Sequence, residues 1–393
     1  MKKLIIAAFL FVSIITTNAL AEIKIGIILG FTGPIESLTP AMRDSAKLAF
    51  KEASDSGSLL GGETITVLEG DSTCVDSAAA QAVATKLVSD GVVAIMGADC
   101  SGVTGAIATN VAVPNGVVMI SPSATSPGLT DLDDRGLFFR TAPSDARGGQ
   151  ILADITKDRG VKSVAITYTN NDYGKGLADV YAAAAKAHGI EVTAVTSHED
   201  GKADYSAEVA TLASAGGDAV AVIGYLDQGG KGIIQASLDS GAFDTFILSD
   251  GMIGDTLTDT FGKDLNKSFG SLPGSTGKGA NVFTDVAKAG GIDSSGPYTG
   301  ESYDAAALIV LAIQAGGSAD RGSIAKNVMA VANGPGKKIY PGQLKKALDL
   351  LAKGKAVDYE GATGVNFTDV GEAEGSFLEK EIKGGKFKTK KQR

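Results

Sequence analysis

Few side chains in this 393-residue sequence are equipped for covalent or metal chemistry: it has two histidines, His188 and His198, and two cysteines, Cys74 and Cys100. Both histidines flank a strand-like run at 190–195, and neither has a cysteine or second histidine at a metal-ligand spacing, so both read as surface positions. A nucleophile-elbow serine, a phosphate loop and a glycine-rich dinucleotide fingerprint are all missing. No catalytic residue, metal ligand set or cofactor is expected. Asp131, Asp133 and Asp134 ahead of Gly136 suggest a calcium loop, but its twelfth position is Ala142 where such a loop needs a glutamate. Binding, not catalysis, is the chemistry left.

Binding residues need a frame. From Glu22 on, short β-branched runs alternate with longer alanine-rich stretches. The runs at 23–29, 64–68, 92–96 and 117–120 are mostly apolar throughout, as parallel strands covered on both faces require. Between them Ala46, Ala49, Phe50 and Ala53 share one helical face, with Thr39 and Pro40 suited to the cap and first turn, and 77–88 and 104–113 also read as helices. The alternation then restarts, with helices at 148–157, 176–187, 203–215 and 229–240 around strands at 163–168, 190–195, 219–224 and 245–248. Two doubly wound α/β sheets follow, with a first break near 141–145. The glycine-rich stretch 268–279 and the segment 352–355 are candidates for two further crossings, with helices at 302–315 and 341–351 between them. Strand-like runs at 364–367 and 375–379 close the chain.

The first 21 residues combine Lys2 and Lys3, an apolar run at 4–15 and the small-residue end Ala19-Leu20-Ala21. This pattern is a secretory signal, cleaved before Glu22. No later segment approaches ~20 uninterrupted apolar residues, and Cys74 is far from the cleavage point, so neither a span nor a lipid anchor is expected. What remains is longer than one core usually organises, which argues for two lobes. The net charge is −9, and loss of Lys2 and Lys3 with the signal makes it −11, a balance unsuited to nucleic acid or anionic lipid. Two cysteines in an exported chain imply a Cys74–Cys100 disulfide worth about 3 kcal/mol, the alternative being two reduced thiols. Lys383, Lys386, Lys388, Lys390, Lys391 and Arg393 read as a solvated, disordered basic tail.

Several motifs sit in order on this frame: Cys74, Cys100-Ser101, Ile120-Ser121-Pro122-Ser123-Ala124-Thr125-Ser126-Pro127, Asn171-Asp172-Tyr173-Gly174 and Asp200-Gly201-Lys202-Ala203-Asp204-Tyr205. With them the chain, from Glu22 to about Phe387, resembles the branched-chain amino-acid-binding proteins of ABC transporters, which have the periplasmic binding protein type I fold. That resemblance implies two α/β lobes joined by three crossings, with a hinge that closes over ligand. It places lobe one at 22–142 plus 272–352 and lobe two at 143–271 plus 353–393. It also implies a periplasmic, usually monomeric protein that delivers its ligand to an inner-membrane ABC permease.

An α-amino acid offers a carboxylate and an ammonium, so its site needs donors for one and acceptors for the other. By resemblance, Ser101 and Thr125 are the carboxylate ligands, each just after a strand and near a helix start, where free N–H groups favour an anion. Helix capping is the plain alternative for Ser101. Asp250, past the strand 245–248, and the Ser123 carbonyl would take the ammonium. Tyr173 and Tyr225 match positions that close over the ligand. The sequence departs from the family at Leu38, a position often aromatic, and at Tyr298-Thr299-Gly300, which lacks the bulky residue expected at 299 or nearby. Together these widen the expected ligand to an aliphatic or broader amino acid. The competing readings are an amide, aromatic acid or sugar ligand, or a sensing role in which the closed form is shown to a receptor.

Overall fold

The computed structural model describes residues 22–393, so the signal reading at 1–21 lies outside the described residues. Strands β1 (Glu22–Leu29), β2 (Thr64–Asp71), β3 (Ala94–Gly97), β4 (Val118–Ser121) and β5 (Phe138–Arg140) form one sheet, all parallel, in the order β2-β1-β3-β4-β5. A second parallel set, β6 (Ser163–Thr169), β7 (Glu191–His198), β8 (Ala219–Ile223), β9 (Phe246–Leu248) and β10 (Phe269–Pro273), repeats that order as β7-β6-β8-β9-β10. Each sheet therefore reverses its strand order once, beside its first strand. The crevices at the carboxyl ends of β1 and β3, and of β6 and β8, are where doubly wound sheets bind ligands.

The central strands are apolar on both faces, with β3, β4, β8 and β9 buried throughout, because helices cover each side. Helix Thr39–Asp55 turns Met42, Ala46, Ala49, Phe50 and Ala53 inward, and Pro sits in its first turn. Thr39 is not its cap: Leu38 holds that place, and the Thr39 hydroxyl turns back to the Gly30 carbonyl (3.1 Å). Helix Thr299–Gly316 is buried on nearly every side, as its Ala305–Ala306–Ala307 and 308–313 apolar run demands.

Three chain passages join the sheets, at 141–144, 274–277 and 374–376, and they touch one another. Gly274 N–H donates to Ser376 O (3.0 Å), and Ser376 Oγ returns a bond to Gly274 O (2.8 Å). A Cβ on Gly375, whose φ is +52°, would lie 2.8 Å from Pro143 Cγ. The third passage differs from the expected crossing at 352–355. Strand β12 (Val357–Tyr359) instead pairs with β11 (Lys337–Ile339), Tyr359 and Thr363 donate to buried Asp304, and Arg140 N–H reaches Gly371 O. These bonds keep 353–371 on the first sheet's side, so only the chain after 376 belongs to the second lobe.

Two further expectations are corrected. The basic tail is ordered: β13 (Phe377–Ile382) runs antiparallel to β10, and β14 (Phe387–Gln392) runs antiparallel to β13. Arg393 closes it with charge-assisted bonds to Glu379, which Arg159 also holds. His198 is buried, with Nδ1 2.8 Å from Thr167 Oγ1, and burial pushes its pKa down to about 4. His188 remains partly exposed beside Asp154. The Asp131–Asp134 run makes a turn, Asp134 accepting from Gly136 and Phe138 N–H, and no metal-binding cluster occurs among the described residues.

Candidate functional site

A pocket lies between the two sheets at their carboxyl ends. On the first side it is walled by Ile35, Leu38 and Met42 and by the turn Asp99-Cys100-Ser101 with Ser123; on the second by Tyr173, Tyr225 and Asp250 with Gly251. Tyr298, at the start of helix Thr299–Gly316, completes it. The cavity left between these walls is small, about 30 Å³, so the two sides stand closed on one another.

The first wall is rigid. Asp99, buried after β3, accepts from Gly30 N–H (2.6 Å), Ser72 Oγ (3.2 Å) and Cys100 N–H (2.9 Å), tying together the turns that follow β1, β2 and β3. Burial pushes its carboxyl up, against the pull of those donors. The Cys74–Cys100 disulfide, with Cα atoms 5.2 Å apart, links the turns covalently. Ser101 is the first residue of helix Ser101–Ile107 and does not cap it. Its Oγ accepts Ser126 N–H (3.0 Å), which leaves the hydroxyl hydrogen to donate elsewhere.

Ser123 Oγ donates to Asp99 O (3.1 Å), and its carbonyl takes no hydrogen bond from another described residue. Thr125 is placed differently from Ser101. It is buried behind the pocket wall rather than in it, and its carbonyl accepts Asp145 N–H (2.8 Å) while Oγ1 completes no well-formed bond. The turn carrying both is held by Arg140, fully buried at the end of β5, which donates to Ala124 O (3.1 Å) and Ser126 O (2.8 Å) and pairs with Glu372. Nothing in the local sequence distinguishes Arg140 from an ordinary strand-end charge.

The second wall centres on Asp250, 7% exposed and just past β9. Tyr173 OH donates to its Oδ1 (2.6 Å) and accepts Gly251 N–H (3.2 Å), and Tyr225 stacks on Tyr173 at 5.2 Å between centroids. Asn171 caps helix Asp172–Ala187 and so fixes where Tyr173 starts. The other carboxylate oxygen takes the hydroxyl of Tyr298, from the first side. Tyr298 has φ +59°, a left-handed backbone that residues other than glycine adopt uncommonly. The bulky residue expected near 299 is thus present one position earlier, and Tyr298 fills the space that its apparent loss was expected to open.

Asp250 has no basic neighbour on the pocket wall, and burial pushes its pKa up against the two hydroxyl donors. Asp145, also buried, is pushed well up by burial and by the nearby Asp250 charge. Of the two acids that line the pocket, Asp99 is consumed by backbone and hydroxyl donors, which leaves Asp250 as the one anion facing the cavity without a cation. Such a carboxylate is costly to bury and is relieved by a ligand that brings a positive group.

With this geometry the chain belongs to the periplasmic binding proteins: that family's model matches residues 22–368. The chain is 31% identical, over 318 residues, to a Leu/Ile/Val-binding protein homolog 1 of Brucella melitensis, covering 79% of this chain and 82% of that one. A homolog 3 from the same species is 33% identical over 215 residues, and there the match spans 57% of the relative's length. The fold superposes on a leucine-binding protein from Thermotoga maritima with a TM-score of 0.79 at 23% identity, covering 94% of this chain and 98% of that one. A solute-binding protein of an R. palustris ABC transporter, solved with 4-hydroxybenzoate, matches at TM-score 0.73 and 18% identity over 95% and 97%. These are substrate-binding proteins of transporters, not enzymes. No helix among the described residues is long and apolar enough to cross a membrane.

Proposed function

We propose that this chain is the periplasmic solute-binding component of an ABC transporter and that it captures an α-amino acid with an aliphatic side chain. Asp250 and the Ser123 carbonyl hold the ammonium. Ser101 Oγ and the N–H groups around it hold the carboxylate, with the uncommitted Thr125 hydroxyl behind them. Ile35, Leu38, Met42 and Tyr298 surround the side chain, and Tyr173 with Tyr225 covers the ligand from the second lobe. The closed form then presents both lobes to a membrane permease.

One observation carries this reading: the buried Asp250 carboxylate faces the pocket with no cation beside it. An aromatic acid such as the one in the 4-hydroxybenzoate complex brings no ammonium, and it would set a second anion beside Asp250 where the wall has no Lys or Arg. A pocket with no Trp platform is also poorly suited to a sugar. The test is a thermal-shift screen of ligand-stripped protein against amino acids, simple amides, sugars and aromatic acids, followed by calorimetry. Millimolar ligand at a micromolar site adds about 4 kcal/mol of stability, which is easily seen. Shifts confined to amino acids are expected. Shifts only with ligands lacking an ammonium would remove Asp250 from its role and the substrate class with it.

A further inference from the structure

The loop between β1 and helix Thr39–Asp55 belongs to the first lobe, yet its middle is held by the second. Asp227, in the turn between β8 and helix Gly229–Ser240, accepts Ser37 N–H on Oδ2 (2.9 Å) and donates its own N–H to Pro34 O (3.0 Å). Thr256, also from the second lobe, places Oγ1 3.4 Å from Ser37 Oγ and 3.5 Å from Asp227 Oδ1. Below these bonds the Leu38 side chain seats on bare backbone: a Cβ on Gly254 would come within 3.0 Å of Leu38 Cδ2 and 3.2 Å of Leu226 Cδ1. Ile35 and Leu38 line the pocket, whereas Ser37, Asp227 and Thr256 do not.

We propose that Asp227 is a positioning residue for ligand capture, clasping the Pro34–Ser37 turn as the lobes meet and so pressing Ile35 and Leu38 onto the ligand it never touches. The proposal rests on the two-lobed capture reading above. A bond between two bodies that separate on opening exists only in the closed state, so it shifts the closed-to-open balance and leaves the stability of each lobe alone. Its weight falls on dissociation, because the lobes must part before the ligand leaves. The bond is charge-assisted, which strengthens it, and lies at the exposed rim, which weakens it. Asparagine presents a carbonyl oxygen in the same place and can accept the same N–H.

The experiment compares the signal-free chain with its Asp227→Ala and Asp227→Asn variants. The probe is the compound giving the largest thermal shift in the screen, read by calorimetry and stopped-flow dissociation, with the melting temperature of the ligand-free protein as control. D227A is expected to weaken binding about fivefold to tenfold, nearly all of it as faster dissociation, with the ligand-free melting temperature unchanged. D227N should recover at least half of that loss. Unchanged affinity in D227A overturns the proposal, and so does a loss matched by a falling ligand-free melting temperature, which would mark an ordinary structural bond. A spin-label pair, one label on each lobe, reports the clasp without any ligand. D227A should lengthen the distances, and an unchanged distribution with unchanged dissociation counts against the clasp whether or not the bound compound is an amino acid.

Discussion

Replacing Asp250 by asparagine separates a ligand-binding carboxylate from a structural one, because the two roles predict opposite signs. In the ligand-free protein the Asp250 carboxylate is buried, accepts two tyrosine hydroxyls, and has no cation beside it on the pocket wall. Its charge is therefore a cost to the fold, which asparagine removes while keeping an oxygen for one tyrosine. Ligand-free D250N should melt at the same temperature as the parent or above it. An ammonium held by a carboxylate through a charge-assisted bond is worth about 2 kcal/mol more than one held by an amide, so affinity for the amino acid should fall about thirtyfold. Calorimetry on ligand-stripped protein reads the affinity and scanning calorimetry the stability. Acid should act in the same direction on the parent protein: the pKa of Asp250 is raised by burial, so affinity drops as pH falls through it, and D250N should lose that dependence. The reasoning is refuted if D250N binds as tightly as the parent, or if its stability falls while its affinity stays.

Two other residues give independent tests. Arg140→Met removes the cation that holds Ala124 O, Ser126 O and Glu372 in the interior. A loss of about 3–5 kcal/mol is expected in urea unfolding, partly restored by adding Glu372→Gln, and a loss below about 1 kcal/mol would deny Arg140 its place in the turn. His198 stays neutral in the fold down to about pH 4 but titrates near 6.5 when unfolded, so the unfolded chain takes up the proton first. Stability should therefore fall between about pH 6.5 and 4, by roughly 3 kcal/mol at most. His198→Gln should flatten that part of the curve, and an equal slope in both proteins would count against the assignment.

The winding was legible because the runs at 92–96, 117–120 and 219–223 stay apolar without alternation, a pattern that few structures other than covered parallel strands satisfy. Motif order pointed to Ser101, Ser123 and Tyr173, and strand-end position to Tyr225 and Asp250; all five line one pocket, with Leu38 beside them. Thr125 stayed one layer back, a distinction of side-chain depth that spacing does not carry. Tyr298 was overlooked because its role depends on a left-handed turn that swings the ring toward a residue 48 positions away. His198 was misplaced because the space it occupies is made by glycines elsewhere: Cβ atoms on Gly224 and Gly229 would lie 3.0 Å and 2.8 Å from its ring. The lysine-rich end looked like a tail because its charge argues for solvent, and in an edge strand lysines do point to solvent while the backbone pairs on its other side.

The two antiparallel strands that finish the second sheet are drawn from the last residues of the chain, and the first sheet's central helix, Thr299–Gly316, arrives only after the whole of β6–β10. A polypeptide leaving the ribosome amino end first can therefore complete neither half early. The first half waits for a helix made some 160 positions after the Thr141 hydroxyl that bonds its Glu301 carbonyl, and the second waits for the carboxyl terminus itself. Contacts so far apart in sequence form slowly. The first half can take its final shape once the chain up to Ala373 is available, whereas the second needs the strands Phe377–Ile382 and Phe387–Gln392 as well.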